Sequence, residues 1–292
     1  MPTEATMRKP ELLLLGGHNS GKTHYAGQLY GRVHYQPGAL TLRSEQGTPK
    51  DLSALEEVWN ALNEGHAAGH TPRDTATEVV LPLEDARGRH LDLHWPDYGG
   101  EQLSSIFEER CITEAWRQRL LKSEAWVLLI RLNSEITYPD ELDKLLNRES
   151  LPAGAHTRPT ASGGKWDANA YWVELLQLLL HVAGRGTVQR LRRPRLAVLL
   201  SCYDEIPDPH TTPSQTLVAK LPLLSAFIHS AWADADVSIW GLSALGKLLE
   251  PDSEDEDFRK CGPEDQGWVI APDGGGHDKD LTQPLAWLWE SL

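Results

Sequence analysis

Cysteine is scarce in this 292-residue chain: Cys111, Cys202 and Cys261 stand far apart. Three widely spaced cysteines make neither a disulfide framework nor a zinc site, and a reducing cytoplasm is the simplest setting. Positive charge is also short. With 28 basic against 42 acidic residues the net charge is −14, which argues against a general nucleic-acid binder, since such proteins carry a basic footprint. Long apolar runs are missing too. The first, Leu12 to Leu15, ends at a pair of glycines, and those near Trp126 and Leu178 fall well short of a bilayer span. Neither a signal-peptide core nor a membrane helix is expected. The twelve histidines form no H-E-x-x-H pattern, and no Ser-His-Asp or Cys-His arrangement or internal repeat stands out. Tryptophan, in contrast, is abundant: eleven residues suited to a core or to a partner surface.

The most informative segment present is LLLLGGHNSGKT, which fits G-x-x-x-x-G-K-[ST] with Gly16, Gly21, Lys22 and Thr23. It follows a buried-strand pattern and precedes a helical one, the context in which such a loop wraps a phosphate. The amides of residues 17 to 23, across Gly17, His18, Asn19, Ser20 and Gly21, can point at phosphate oxygens. Lys22 would bridge the terminal phosphates and the Thr23 hydroxyl would ligate magnesium. His18 either approaches the phosphate or faces solvent. The competing reading is an ordinary strand-to-helix turn.

Along the chain, strands alternate with helices. A helix is predicted from about Lys22 to Tyr30, then a helical patch near Leu55 to Leu62. Glu78–Leu83 and His90–Trp95 read as a β-hairpin around EDARGR. A helical pattern follows over Gln102 to Leu121, then a buried strand at Ala125–Leu132. Helix resumes at Ala168–Val182, strand at Arg195–Ser201, helix at Leu217–Trp232 and strand at Val237–Ser243; LTQPLAWLWESL is a short closing helix. The fold class is α/β, a mostly parallel sheet with helices on both faces and one hairpin. A single domain over 1–292 is expected, with insertions near 31–74 and 133–167 and an acidic, solvated loop near 250–266. The Arg185–Arg195 run is the one strong basic cluster, a solvated connection or a contact for an acidic partner or a phosphate backbone.

Three further segments bear on the ligand. In WPDYGGEQ, Asp97 can hold magnesium and the Gly100 amide can sense a γ-phosphate. In LLSCYDE, Asp204 can accept two hydrogen bonds from the guanine edge, a pair that adenine cannot offer; a turn or helix-cap aspartate is the alternative. In GLSALG, the amides around Ser243, Ala244 and Leu245 can meet the guanine carbonyl, unless this is a plain strand-to-helix turn.

In order and strand context these motifs resemble the Ras-like, TRAFAC class of P-loop GTPases over most of the chain. Within that class LLSCYDE, PDYGGE and the GWVIAPDGG…DLTQPLAWL ending are similar to the bacterial double-GTPase families. The resemblance implies Lys22 and the loop amides on phosphate, Thr23 and Asp97 on Mg2+, and Gly100 anchoring the second switch. Asp204, Ser243 and Ala244 would read guanine. Thr75 would serve the first switch, on Mg2+ and γ-phosphate, in competition with Thr71 and Thr77. It further implies a Mg2+-dependent switch acting on a protein partner, with a second GTPase as one candidate.

The chain departs from the class pattern in two places. Ser201, Cys202, Tyr203 and Asp204 stand where N-K-x-D is usual, so the lysine that packs over base and loop is replaced by Cys202. Glu101, followed by Gln102, stands where Ras-like proteins have the water-orienting glutamine, which implies slow intrinsic hydrolysis. Asn19 matches the asparagine that holds K+ in some members, or is a loop asparagine satisfying its own backbone. The alternatives to a switch are a hydrolysis-deficient nucleotide-binding scaffold and an ATPase or small-molecule kinase.

Overall fold

The computed structural model describes residues 10–43, 51–69, 78–96, 101–137, 166–186, 188–207 and 212–290. An eight-stranded sheet runs through it in the order β2-β3-β4-β1-β5-β6-β7-β8. Its central strands, β4 (His90–Pro96), β1 (Glu11–Gly16), β5 (Ser123–Ile130), β6 (Arg195–Ser201) and β7 (Val237–Ser243), are mutually parallel. Antiparallel strands finish both margins: β3 (Glu78–Asp85) and β2 (Leu40–Leu42) on one side, β8 (Trp268–Ile270) on the other.

The unbroken apolar runs of β1 and β5 follow from burial on both sides of the sheet. Leu13, Leu15, Trp126 and Leu128 face one core, while Leu12, Leu14, Ala125, Val127 and Leu129 face the other. The first core is closed by α3 (Glu101–Glu109), α4 (Glu114–Lys122), α5 (Ala168–Val182), α6 (Pro213–Lys220) and α7 (Pro222–Ala231). The second is closed by α1 (Lys22–Tyr35), α2 (Ser53–Asn63) and α9 (Gln283–Glu290). This is the expected α/β architecture, a mostly parallel sheet with helices on both faces and the β3–β4 hairpin in place.

Several boundaries move. Helix α1 runs on to Tyr35, and β2 lies inside the segment expected as an insertion. The pattern over Gln102–Leu121 is two helices, parted where Arg110 takes a left-handed backbone (φ 55°) and Thr113 caps α4 by accepting from the Trp116 amide. Leu217–Trp232 lies across two more, α6 and α7, split because Pro222 has no amide hydrogen with which to continue α6.

The acidic segment is not simply solvated. Asp255 caps α8 (Glu256–Cys261) and, with Asp257, pairs with Lys247. The basic run is likewise partly built in: Arg195 is buried and donates to the carbonyls of Trp287 and Leu288 at the end of α9. Arg185 and Arg193 line a cavity of about 350 Å³ with Glu11, Lys122 and Glu124, at the sheet edge where β1 and β5 begin. Among the described residues no helix is long and apolar enough to cross a membrane.

Candidate functional site

Parallel pairing aligns the ends of four strands. Gly16 is opposite Leu129, Ile130 opposite Leu200, and Ser201 opposite Leu242. The loops that leave β1, β5, β6 and β7 therefore emerge along one edge. In open α/β sheets this carboxyl edge is where ligands bind.

The loop after β1 is tight. Gly21, at the N-terminus of α1, has φ 77°, a left-handed conformation that glycine adopts at no steric cost. The Lys22 ammonium reaches back across the loop, donating to the carbonyls of Gly16 at 2.9 Å and Gly17 at 2.6 Å and to Ser20 Oγ at 3.3 Å. Ser20 is buried, while His18 and Asn19 are exposed. Asn19 is left-handed at φ 56°, a conformation asparagine tolerates better than most residues; that accounts for its identity without a bound potassium ion. From α5 the Trp172 ring packs against Gly17.

A lysine ammonium at the N-terminus of a helix, where the first backbone amides lack intrahelical partners, suits a phosphate, whose oxygens accept from both. Thr23, in the first turn of α1 beside Lys22, offers the hydroxyl oxygen that a hard cation such as Mg2+ takes. Its expected co-ligands Asp97 and Thr75, and Gly100 with Thr71 and Thr77, lie outside the described residues. Of Glu101 only its place at the start of α3 is described.

The loop after β6 reaches the first loop. A Cβ built on Gly21 would stand 3.8 Å from Cys202 Sγ, so Cys202 occupies the junction between the phosphate loop and the segment expected to read the base. Cys202 is itself left-handed (φ 50°) and opens a short 3-10 turn, Tyr203–Glu205. Tyr203 is buried, its ring beneath Gly241 and its hydroxyl 2.8 Å from Thr216 Oγ1. Asp204 is exposed, and no hydrogen bond from a described residue engages its carboxylate; it is not spent on capping. Glu205 turns the other way, to Arg131 just past β5.

The loop after β7 is pinned locally. Ser243 Oγ accepts from the Gly246 amide at 2.9 Å, and Leu245 packs on a small cluster of Leu62, Ala67, Leu249 and Phe258. The expected base-reading residues Asp204, Ser243, Ala244 and Leu245 thus sit on adjacent strand ends. Gln102 is committed elsewhere: its side-chain carbonyl accepts from Trp116 Nε1 at 2.9 Å. Ser201, given no role in the sequence analysis, has its hydroxyl buried at the end of β6 with no hydrogen-bond partner among the described residues; its place in the four-residue motif was the available signal.

Burial raises the Cys202 thiol to about 12, whereas Cys111 and Cys261 are exposed. Thiolate is the reactive form. With iodoacetamide at pH 8, Cys111 and Cys261 are expected to be modified first, and Cys202 at least about tenfold more slowly, since each unit of pKa is a factor of ten in thiolate. Peptide mass mapping over time reads this; equal rates at all three would contradict the buried junction.

A family model described as Double-GTPase 1 matches residues 13–288. No curated protein matches the sequence significantly. Similar solved structures include a bacterial selenocysteine-specific elongation factor, at 13% identity and a TM-score of 0.39 over 98% of this chain. This chain spans 29% of that factor. The signal recognition particle receptor SRb-GTP/SRX complex of Chaetomium thermophilum is similar at 15% identity and TM-score 0.39, over 87% of this chain and 97% of its own. Toc33 of Arabidopsis thaliana is similar at 11% identity and TM-score 0.38, over 97% and 84%. Likeness at this level says nothing of activity.

Proposed function

Since the chain belongs to the Double-GTPase 1 family, we propose that it binds GTP and hydrolyses it slowly to GDP and phosphate as a Mg2+-dependent switch for a protein partner. The observation that carries the reading is the junction at the sheet edge. The glycine loop closes around the Lys22 ammonium, and Cys202 packs against that loop two residues before an exposed carboxylate at Asp204.

The roles divide by chemistry. Lys22 and the amides at the start of α1 take the β- and γ-phosphates. Asp204 accepts from the guanine ring edge, with the Ser243–Leu245 backbone at the ring carbonyl. Mg2+, when bound, would be held by Thr23 with Asp97 and a first-switch threonine such as Thr75, and would neutralise phosphate charge. Water has to be oriented by a side chain at the start of α3. Gln102 can do so only by giving up its hydrogen bond from Trp116, and Glu101 brings negative charge to a negative substrate. Both effects make hydrolysis slow until a partner reshapes this segment; a cytoplasmic setting and a second GTPase as that partner belong to the same proposal.

Single-turnover phosphate release from the GTP-loaded protein with Mg2+ tests this. The expected rate is on the order of 10⁻⁴ to 10⁻² s⁻¹, the range of switches lacking an activator. Turnover near 10 s⁻¹ with no partner present, far above that range, would contradict it.

The engagement of Gln102 by Trp116 also favours a second reading, a scaffold that binds nucleotide without useful hydrolysis. Protein purified with intact GTP still bound, and no phosphate release over hours, would select it.

A further inference from the structure

Tyr203–Glu205 is a three-residue turn that holds the exposed Asp204 between two inward anchors. On one side the Tyr203 hydroxyl meets Thr216 in the core. On the other, Glu205 receives both arms of the Arg131 fork: Nε donates to Oε2 at 2.9 Å and Nη2 donates to Oε1. The partners are 74 residues apart in sequence and join the segment after β5 to the segment after β6. Their side chains are only 27% and 18% exposed, so this is not a solvated surface pair of negligible worth. A bidentate fork fixes orientation as well as distance.

The usual lysine of the class motif is absent here, and Cys202 offers no charge or long stem to hold the turn. We propose that Arg131 is a positioning residue for base recognition: through Glu205 it sets the orientation of Asp204. This rests on the reading of Asp204 as the guanine acceptor. Without Arg131, Glu205 becomes an unpaired carboxylate next to Asp204, and the turn keeps only its Tyr203 anchor. Asp204 then loses the alignment that a two-hydrogen-bond contact requires, whereas the loop around Lys22 is untouched.

The test compares GDP with IDP, whose hypoxanthine lacks the 2-amino group that one Asp204 oxygen would accept from. Both nucleotides share every phosphate contact, so their affinity ratio reports the base contact and cancels general loss of stability. Calorimetry with Mg2+ on the full chain is expected to give the unsubstituted protein a GDP preference of about 10- to 100-fold, the worth of a hydrogen bond to a charged group. In Arg131→Gln the ratio is expected to fall to within about threefold, because GDP loses both contacts to Asp204 while IDP, which has only its N1–H to lose, weakens by less. The charge reversal Arg131→Glu with Glu205→Arg is expected to regain part of the ratio, and Arg131→Lys to keep an intermediate one. An undiminished ratio in Arg131→Gln, with discrimination present in the unsubstituted protein, overturns the proposal alone. Equal GDP and IDP binding by the unsubstituted protein overturns the guanine reading, and this proposal with it.

Discussion

Replacing Lys22 by alanine is expected to weaken GDP binding by about 10²- to 10³-fold, the loss of about 3–4 kcal/mol that follows when one member of a hydrogen-bonded charge pair is removed. Two effects act in the same direction. The ammonium is the charge that meets the phosphates. It also ties Gly16, Gly17 and Ser20 together, so its removal loosens the cradle before any ligand arrives. Lys22→Arg is expected to fail nearly as badly. The ammonium is a compact point charge that fits between the Gly16 and Gly17 carbonyls, whereas a planar guanidinium needs more room and another donor geometry. Titration with a fluorescent GDP analogue reads both variants. Retention of wild-type affinity in Lys22→Ala would mean that the loop is a turn and holds no phosphate.

Asp204→Ala is expected to abolish the choice between guanine and adenine. In the unsubstituted protein the carboxylate is exposed at the sheet edge, with no described hydrogen bond to give up. Two charge-assisted bonds to the guanine edge separate the two bases by about 100-fold or more, because a site built to receive donors is left unpaired by a base that lacks them. Alanine removes the acceptors and leaves the phosphate contacts. The expected variant therefore binds GDP and ADP within about threefold of each other, at the weak level set by the shared phosphates. Its fold should be unharmed, since exposed substitutions away from packing cost little.

What was legible in the sequence depended on how local the signal was. The strands Arg195–Ser201 and Val237–Ser243 appear as expected, because a parallel strand covered on both faces must be apolar at every position. The phosphate loop was legible because its chemistry lies within eight consecutive residues. The edge strands β2 and β8 were not, since three residues carry no periodicity. The break between α6 and α7 was readable in principle from Pro222, but the apolar pattern continues across it. Arg195 looked like part of a basic run and is a buried partner for the end of α9, a contact set by residues over ninety positions away. Arg131–Glu205 was invisible for the same reason: two half-buried charges on separate strand ends meet only once the sheet has formed. Asp255 and Lys247, close in sequence, were hidden by the surrounding acidic run.

The central claim is guanine recognition at this sheet edge. Its most direct test is calorimetric titration of the nucleotide-free protein with GDP and with ADP, each with Mg2+, beside Asp204→Ala. The account predicts a strong GDP preference that disappears in the variant. Equal binding of the two nucleotides, or a preference for ADP, would contradict it and leave Asp204 as a turn residue.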